Sequence, residues 1–74
     1  MEDINMKFGR RIKELRLRQN ISQEELAFRS QLSKNYVSDV ERGTRNITLK
    51  VVEKFAKGFQ IPVYYLFQWQ KDNQ

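Results

Sequence analysis

Gln23-Glu24-Glu25-Leu26-Ala27-Phe28-Arg29-Ser30-Gln31-Leu32-Ser33-Lys34-Asn35-Tyr36-Val37-Ser38-Asp39-Val40-Glu41-Arg42 is the stretch on which the fold turns. Ser22 precedes it and Glu25 follows three residues later, the spacing of a capping box. In that motif the serine hydroxyl accepts from the amide of residue 25, and the carboxylate reaches back to the amide of residue 22. Ile21 and Leu26 flank the cap as a hydrophobic staple. Leu26 and Ala27 face inward, and the helix is expected to run to about Ser30. Only Gln31 and Leu32 separate it from Ser33, which caps the next helix. Val37 and Val40 form the inner stripe of that helix, and Gly43 stops it. The pattern is two short helices joined by a tight turn.

The flanks read as helices too, which makes an all-α fold of five helices. Before the turn, Phe8, Ile12 and Leu15 recur at spacings of four and three and predict a helix from about residue 6 to 19. Asn20 tolerates a left-handed backbone and ends it. After the turn comes a loop over residues 43–47. Thr48 then caps a helix with Leu49, Val52, Phe55, Ala56 and Phe59 on its inner face. Pro62 opens a short fifth helix. Residues 70–74 are polar and are expected to fray. No stretch alternates with period two for long, so strands are not expected.

The chain has 74 residues, room for a single domain with a core at about residues 6–67. Such a domain is marginally stable, and without cysteine it has neither disulfides nor a thiolate metal site. Pairing with a second copy is one remaining way to gain core. The net charge is +5, which suits a polyanionic partner. The charge is concentrated early: Lys7, Arg10, Arg11, Lys13, Arg16 and Arg18 face only Glu14. A solvated helix face accounts for that window equally well. No apolar run approaches the ~20 residues of a membrane span, and the first residues lack a signal-peptide pattern. A cytoplasmic protein is expected.

Anchoring Val37 and Val40 leaves Lys34, Asn35, Ser38 and Asp39 pointing outward. These hydrogen-bonding groups are of the kind that read base edges in a DNA major groove, while the first helix of such a pair braces across the backbone. Gln23-Glu24-Glu25-Leu26-Ala27, Leu32-Ser33, Tyr36-Val37-Ser38 and Val40-Glu41-Arg42-Gly43 resemble the lambda-repressor-like (Cro-like) helix-turn-helix family. The resemblance covers about residues 6–67. Within that family, Lys34–Ser38 followed by Glu41-Arg42-Gly43-Thr44-Arg45-Asn46-Ile47-Thr48-Leu49 is similar to the controller proteins of restriction–modification systems. It implies a homodimeric transcriptional regulator that binds paired half-sites near its own promoter; no cofactor and no metal are expected. One position departs from the pattern: Gln31 stands where the family has glycine in the turn. A left-handed glutamine there carries a modest steric cost, so either the turn adopts another geometry or the strain is tolerated.

The resemblance also implies residue roles. Gln23, at the start of its helix, hydrogen-bonds a phosphate. Arg16 and Glu41 pair as a structural bridge between helix one and the end of helix three. From position, Lys34 suits guanine acceptors and Asn35 suits adenine. Tyr36 either packs on the sugar-phosphate or a thymine methyl, or covers the edge of the core. Ser38 and Asp39 lie one turn on; the carboxylate either accepts from cytosine, acting as a negative selector, or orients Lys34 or Arg42. Arg42, Thr44, Arg45 and Asn46 follow the helix and suit phosphates, with Arg45 alternatively entering the minor groove. Tyr64, Tyr65, Phe67 and Trp69 exceed what a terminal helix buries alone and point to a dimer interface. Alternatively, Leu66 and Phe67 close the monomer core and the other aromatics are scattered.

Two other function classes compete. An enzyme is disfavoured because histidine and cysteine are absent and the three glycines, at 9, 43 and 58, form no phosphate loop. An antitoxin-type interaction module can share this fold. Non-specific nucleic-acid or membrane-surface binding through the helix-one cluster would show steep salt dependence without sequence preference.

Overall fold

The computed structural model describes residues 2–69 and contains four α-helices and a closing 3-10 helix. The helices are α1 (Ile4–Arg18), α2 (Gln23–Ser30), α3 (Lys34–Glu41) and α4 (Leu49–Phe59), and the 3-10 helix is Val63–Phe67. No strand occurs among the described residues. The polar tail expected to fray, residues 70–74, lies outside the described residues.

Side-chain caps set the helix starts. Asp3, Ser22, Ser33 and Thr48 each accept from an amide in the first turn of α1, α2, α3 and α4 respectively. The Asp3 cap begins α1 two residues earlier than its apolar stripe indicates. The Ser22 cap is one-sided: its hydroxyl accepts from the Glu25 amide at 2.9 Å, but the Glu25 carboxylate accepts from Arg29 instead of reaching back. Arg29 stands four residues on, where an opposite charge competes directly for that carboxylate. Asn20 ends α1 with φ 58°, as its left-handed tolerance leads one to expect.

Every element gives the core one fully buried apolar side chain: Ile12, Leu26, Val37, Phe55 and Leu66 in chain order. The helices α1 and α2 both pack on α3, α4 packs on α2, and the 3-10 helix closes over α1 and α4. Two crossings are close enough to need glycine. A Cβ on Gly9 would lie 2.2 Å from the Val40 carbonyl oxygen, and one on Gly58 would lie 2.1 Å from Ser30 Oγ. The first of these sets the distance between α1 and the end of α3.

Three further expectations are corrected. The fifth helix is 3-10, and Pro62 is its extended cap (φ −69°, ψ 152°), not its first helical residue. Leu49 is 85% exposed instead of inward. As the first residue of α4 it sits a turn ahead of Val52, past the end of the packed face. Arg11 belongs to the interior, not to a solvated cluster. It is buried, donates to the Tyr65 carbonyl at 2.9 and 3.3 Å, and its guanidinium covers the Tyr65 ring at 4.6 Å. It thereby fastens the 3-10 helix to α1.

The turn between α2 and α3 keeps its left-handed geometry without glycine. Gln31 has φ 57° and ψ 45°, and its amide closes on the carbonyls of Ala27 and Phe28. The Leu32 amide donates to Ala27 at 2.9 Å and fixes the exit into α3. A side chain in this conformation is strained, offset partly by the greater freedom glycine would have in the unfolded chain. Gln31→Gly is therefore expected to stabilise the domain by about 0.5–1 kcal/mol. In a thermal melt this appears as a rise of about 2–8 °C; a fall would mean that the glutamine side chain makes a stabilising contact of its own.

Candidate nucleic-acid interface

The helix α3 is held by its inner face and open on its outer one. Val37 and Val40 are buried, while Lys34 and Asn35 are exposed on the first turn. Neither Lys34 nor Asn35 has a side-chain partner among the described residues. Lys34 sits at the first helical position, where the helix dipole disfavours a cation. Its ammonium is better placed against an anion outside the fold than inside it.

The second half of α3 is different. Ser38 Oγ accepts from Arg42 at 3.2 Å. Asp39 Oδ1 accepts from Arg42, and its Oδ2 accepts from Arg45 at 3.3 Å. The Arg45 guanidinium lies over the Tyr36 ring at 4.7 Å, and that ring packs on the core edge. Tyr36 thus covers the core and presents an arginine at once. Thr44 Oγ1 donates to the Asp39 carbonyl at 3.1 Å, and Asn46 Oδ1 accepts from Asn5 at 2.6 Å. Gly43, at φ 78°, turns the chain past Met6. These contacts hold Arg42, Thr44, Arg45 and Asn46 beside α3 as one ordered corner.

Beneath this corner lies the Arg16–Glu41 pair. Arg16 Nε donates to Glu41 Oε2 at 2.7 Å and Nη2 donates to Oε1 at 3.1 Å, with the side chains 11% and 4% exposed. Arg16 Nη1 also donates to the Ile21 carbonyl at 3.0 Å. Glu41 Oε1 in turn accepts from Gln23 Nε2 at 3.0 Å. The Gln23 amide is therefore oriented from within the fold, and its second N–H has no hydrogen-bond partner among the described residues. Glu24 and Glu25 stand beside it in the same first turn, so a phosphate at Gln23 meets local repulsion.

The sequence pattern did not reveal that Glu41 holds Gln23, nor that Asp39 serves Arg45 as well as Arg42, one of the two partners expected of it. The Asp39–Arg42 spacing of three was the available signal for half of the latter. The basic window of α1 is also mostly spent within the fold. Arg10 pairs with Glu2, Arg11 and Arg18 with Glu14, and Arg16 with Glu41. Only Lys7 and Lys13 of that window carry no ion pair among the described residues. The four terminal aromatics do not share one fate either. Tyr64 is 65% exposed and Phe67 is exposed, whereas Tyr65 and Trp69 are half-buried. Phe67 contacts both Phe8 and Trp69, with ring centroids at 5.4 and 6.0 Å.

Residues 12–66 match the helix-turn-helix family. The chain belongs to that family. Among its relatives, the control protein C.BamHI of Bacillus amyloliquefaciens is 43% identical over 60 residues, spanning 80% of this chain and 74% of that protein. The crystal structure of the restriction-modification controller protein C.AhdI from Aeromonas hydrophila superposes with a TM-score of 0.84 at 45% identity, covering 86% of this chain and 97% of that one. The controller protein C.Esp1396I bound to a 25 base pair operator site superposes with a TM-score of 0.82 at 34% identity, covering 92% and 90%.

Removing one partner of the Arg16–Glu41 pair strands the other as a buried charge. Arg16→Ala is expected to cost about 3–5 kcal/mol, a large share of the stability of so small a domain. The double change Arg16→Met with Glu41→Leu is expected to recover most of it, because it strands no charge. Urea unfolding of the three proteins tests this, and an Arg16→Ala loss below about 1 kcal/mol would place the pair among ordinary surface bridges.

Proposed function

We propose that this protein is a cytoplasmic, sequence-specific DNA-binding transcriptional regulator. It acts as a homodimeric controller protein of a restriction–modification system and binds paired half-sites near its own promoter. The observation that carries this reading is the division of α3. Its apolar face is locked by Val37 and Val40, and its first turn offers unpartnered Lys34 and Asn35. The likeness to a relative held on an operator duplex supports the same reading.

In this function α3 enters the major groove. Lys34 donates to guanine O6 and N7, and Asn35 makes a paired contact with adenine. Tyr36, Ser38 and Asp39 complete the reading face. Arg42 and Arg45 grip phosphates and set register, with Thr44 and Asn46 at the same backbone. Gln23 adds a phosphate contact from the α2 start through the N–H that Glu41 leaves open.

A single recognition helix covers few bases, so two copies are needed to read two half-sites about one helical turn apart. Exposed Tyr64 and Phe67, with Tyr65 and Trp69 at the margin, supply the surface that pairs them. Among the described residues no helix is long and apolar enough to cross a membrane, which agrees with a cytoplasmic regulator.

Fluorescence anisotropy on the duplex upstream of this chain's own gene, against shuffled duplex at near-physiological salt, tests the proposal. The expected preference is about 10³-fold or more, with two protomers per site. Equal affinity for both duplexes would overturn it. Asn35→Ala is expected to lose about 1–3 kcal/mol of discrimination at one base position. Arg45→Ala is expected to weaken all duplexes alike and flatten the salt dependence by about one ion.

A further inference from the structure

Glu41 is buried, which leaves Asp39 as the acid that α3 shows to solvent, with its side chain 26% exposed. Both of its oxygens are occupied, by Arg42 and by Arg45. Those are the two arginines assigned above to phosphates. Arg45 is further fixed by the Tyr36 ring, and Arg42 by Ser38. The arginine side chains are 62% and 49% exposed, and exposed pairs of this kind add little to stability. Stability therefore does not account for a carboxylate at this place.

Its electrostatic effect does have a direction. A carboxylate beside the phosphate-gripping corner cancels one of two positive charges there. It also competes with phosphate oxygens for the same N–H donors. That penalty weighs in full on any duplex held by phosphate contacts alone, because sequence-independent binding is almost entirely phosphate electrostatics, whereas a duplex that offers a cytosine amino group to the carboxylate offsets part of it. Contacts to base edges made by Lys34 and Asn35 at the other end of α3 are not subject to it in the same degree.

The geometry points to Asp39 as a specificity determinant: it holds Arg42 and Arg45 in register and depresses affinity for DNA of arbitrary sequence. Recognition is thereby shifted onto the base contacts. The inference rests on the DNA-binding reading above. Asp39 acts here through the two arginines and the charge of the surface, as a positioning residue.

Asp39→Asn keeps the shape and removes the charge. The test measures wild type, Asp39→Asn and Asp39→Glu on two duplexes across a salt series. One duplex is selected by the wild-type protein from a random-sequence pool, and the other is its shuffled counterpart. Asp39→Asn is expected to bind the shuffled duplex about three- to tenfold more tightly at low salt, with a salt dependence steeper by about one counterion. Its affinity for the selected duplex rises less, so the specificity ratio falls by about threefold or more. Asp39→Glu, which keeps the charge, retains the wild-type slope. An unchanged ratio and slope in Asp39→Asn, or equal weakening on both duplexes, would overturn the inference and leave Asp39 a brace only. A wild type that selects no duplex from the pool would instead sink the DNA-binding reading and the inference together, an outcome distinct from the first.

Discussion

Two hydrogen bonds between Arg16 and the Glu41 carboxylate, nearly removed from water, connect the first long helix to the last residue of α3. Few contacts in the domain involve so many elements. Arg16 also holds the Ile21 carbonyl just before α2, and Glu41 also holds Gln23 at the α2 start. One buried pair thus fixes how α1, α2 and α3 meet. Coulomb attraction alone does not justify burying two charges, since desolvation consumes most of the gain. The pair is worth keeping because its geometry is directional. A hydrophobic substitute of equal volume would hold the helices together without specifying their angle or orienting Gln23.

Gly9 works on the same crossing by steric means. The absent Cβ lets α1 approach the Val40 carbonyl within a distance that any side chain would forbid. Close approach shortens the reach from Arg16 to Glu41 and sets Val40 firmly in the core. With Val37 and Val40 so held, α3 has no freedom to roll about its axis. The direction of Lys34 and Asn35 is then a consequence of core packing, not of any contact those side chains make. That suits the reading role proposed for α3, because residues that contact bases must be positioned without being occupied.

The elements were legible in the sequence because their signals are local. Ser22, Ser33 and Thr48 each precede an apolar pattern, and each caps a helix. The spacing of Phe8, Ile12 and Leu15, and of Val37 and Val40, states which faces are buried. What remained hidden depends on partners distant in the chain. Arg11 stands three residues after Phe8 and four before Leu15, on the buried stripe itself, yet its burial requires the Tyr65 carbonyl 54 residues away. Charge made it read as solvated when its register said otherwise. The Glu25 carboxylate had two satisfactory acceptor roles, and only the competition with Arg29 decides between them. The outward turn of α3 was read from the anchoring of its valines, whereas the hold of Glu41 on Gln23 needs the packed fold to be seen.

The proposed DNA-reading surface divides along α3. At its start Lys34 and Asn35 are exposed and unpartnered among the described residues. At its end Ser38 and Asp39 are engaged with Arg42 and Arg45. On the proposed reading, the two ends therefore meet DNA at different cost. The first turn loses only hydration and rotamer freedom when it contacts a base, and regains directional hydrogen bonds only if that base is the right one. The last turn must trade an existing ion pair for a phosphate contact, a nearly even exchange in which sequence plays no part. A surface built this way draws little affinity from the backbone and much of its discrimination from few residues. Doubling those residues by pairing two copies then raises selectivity more than it raises attraction to DNA in general. That ordering favours a small regulator with little recognition area of its own.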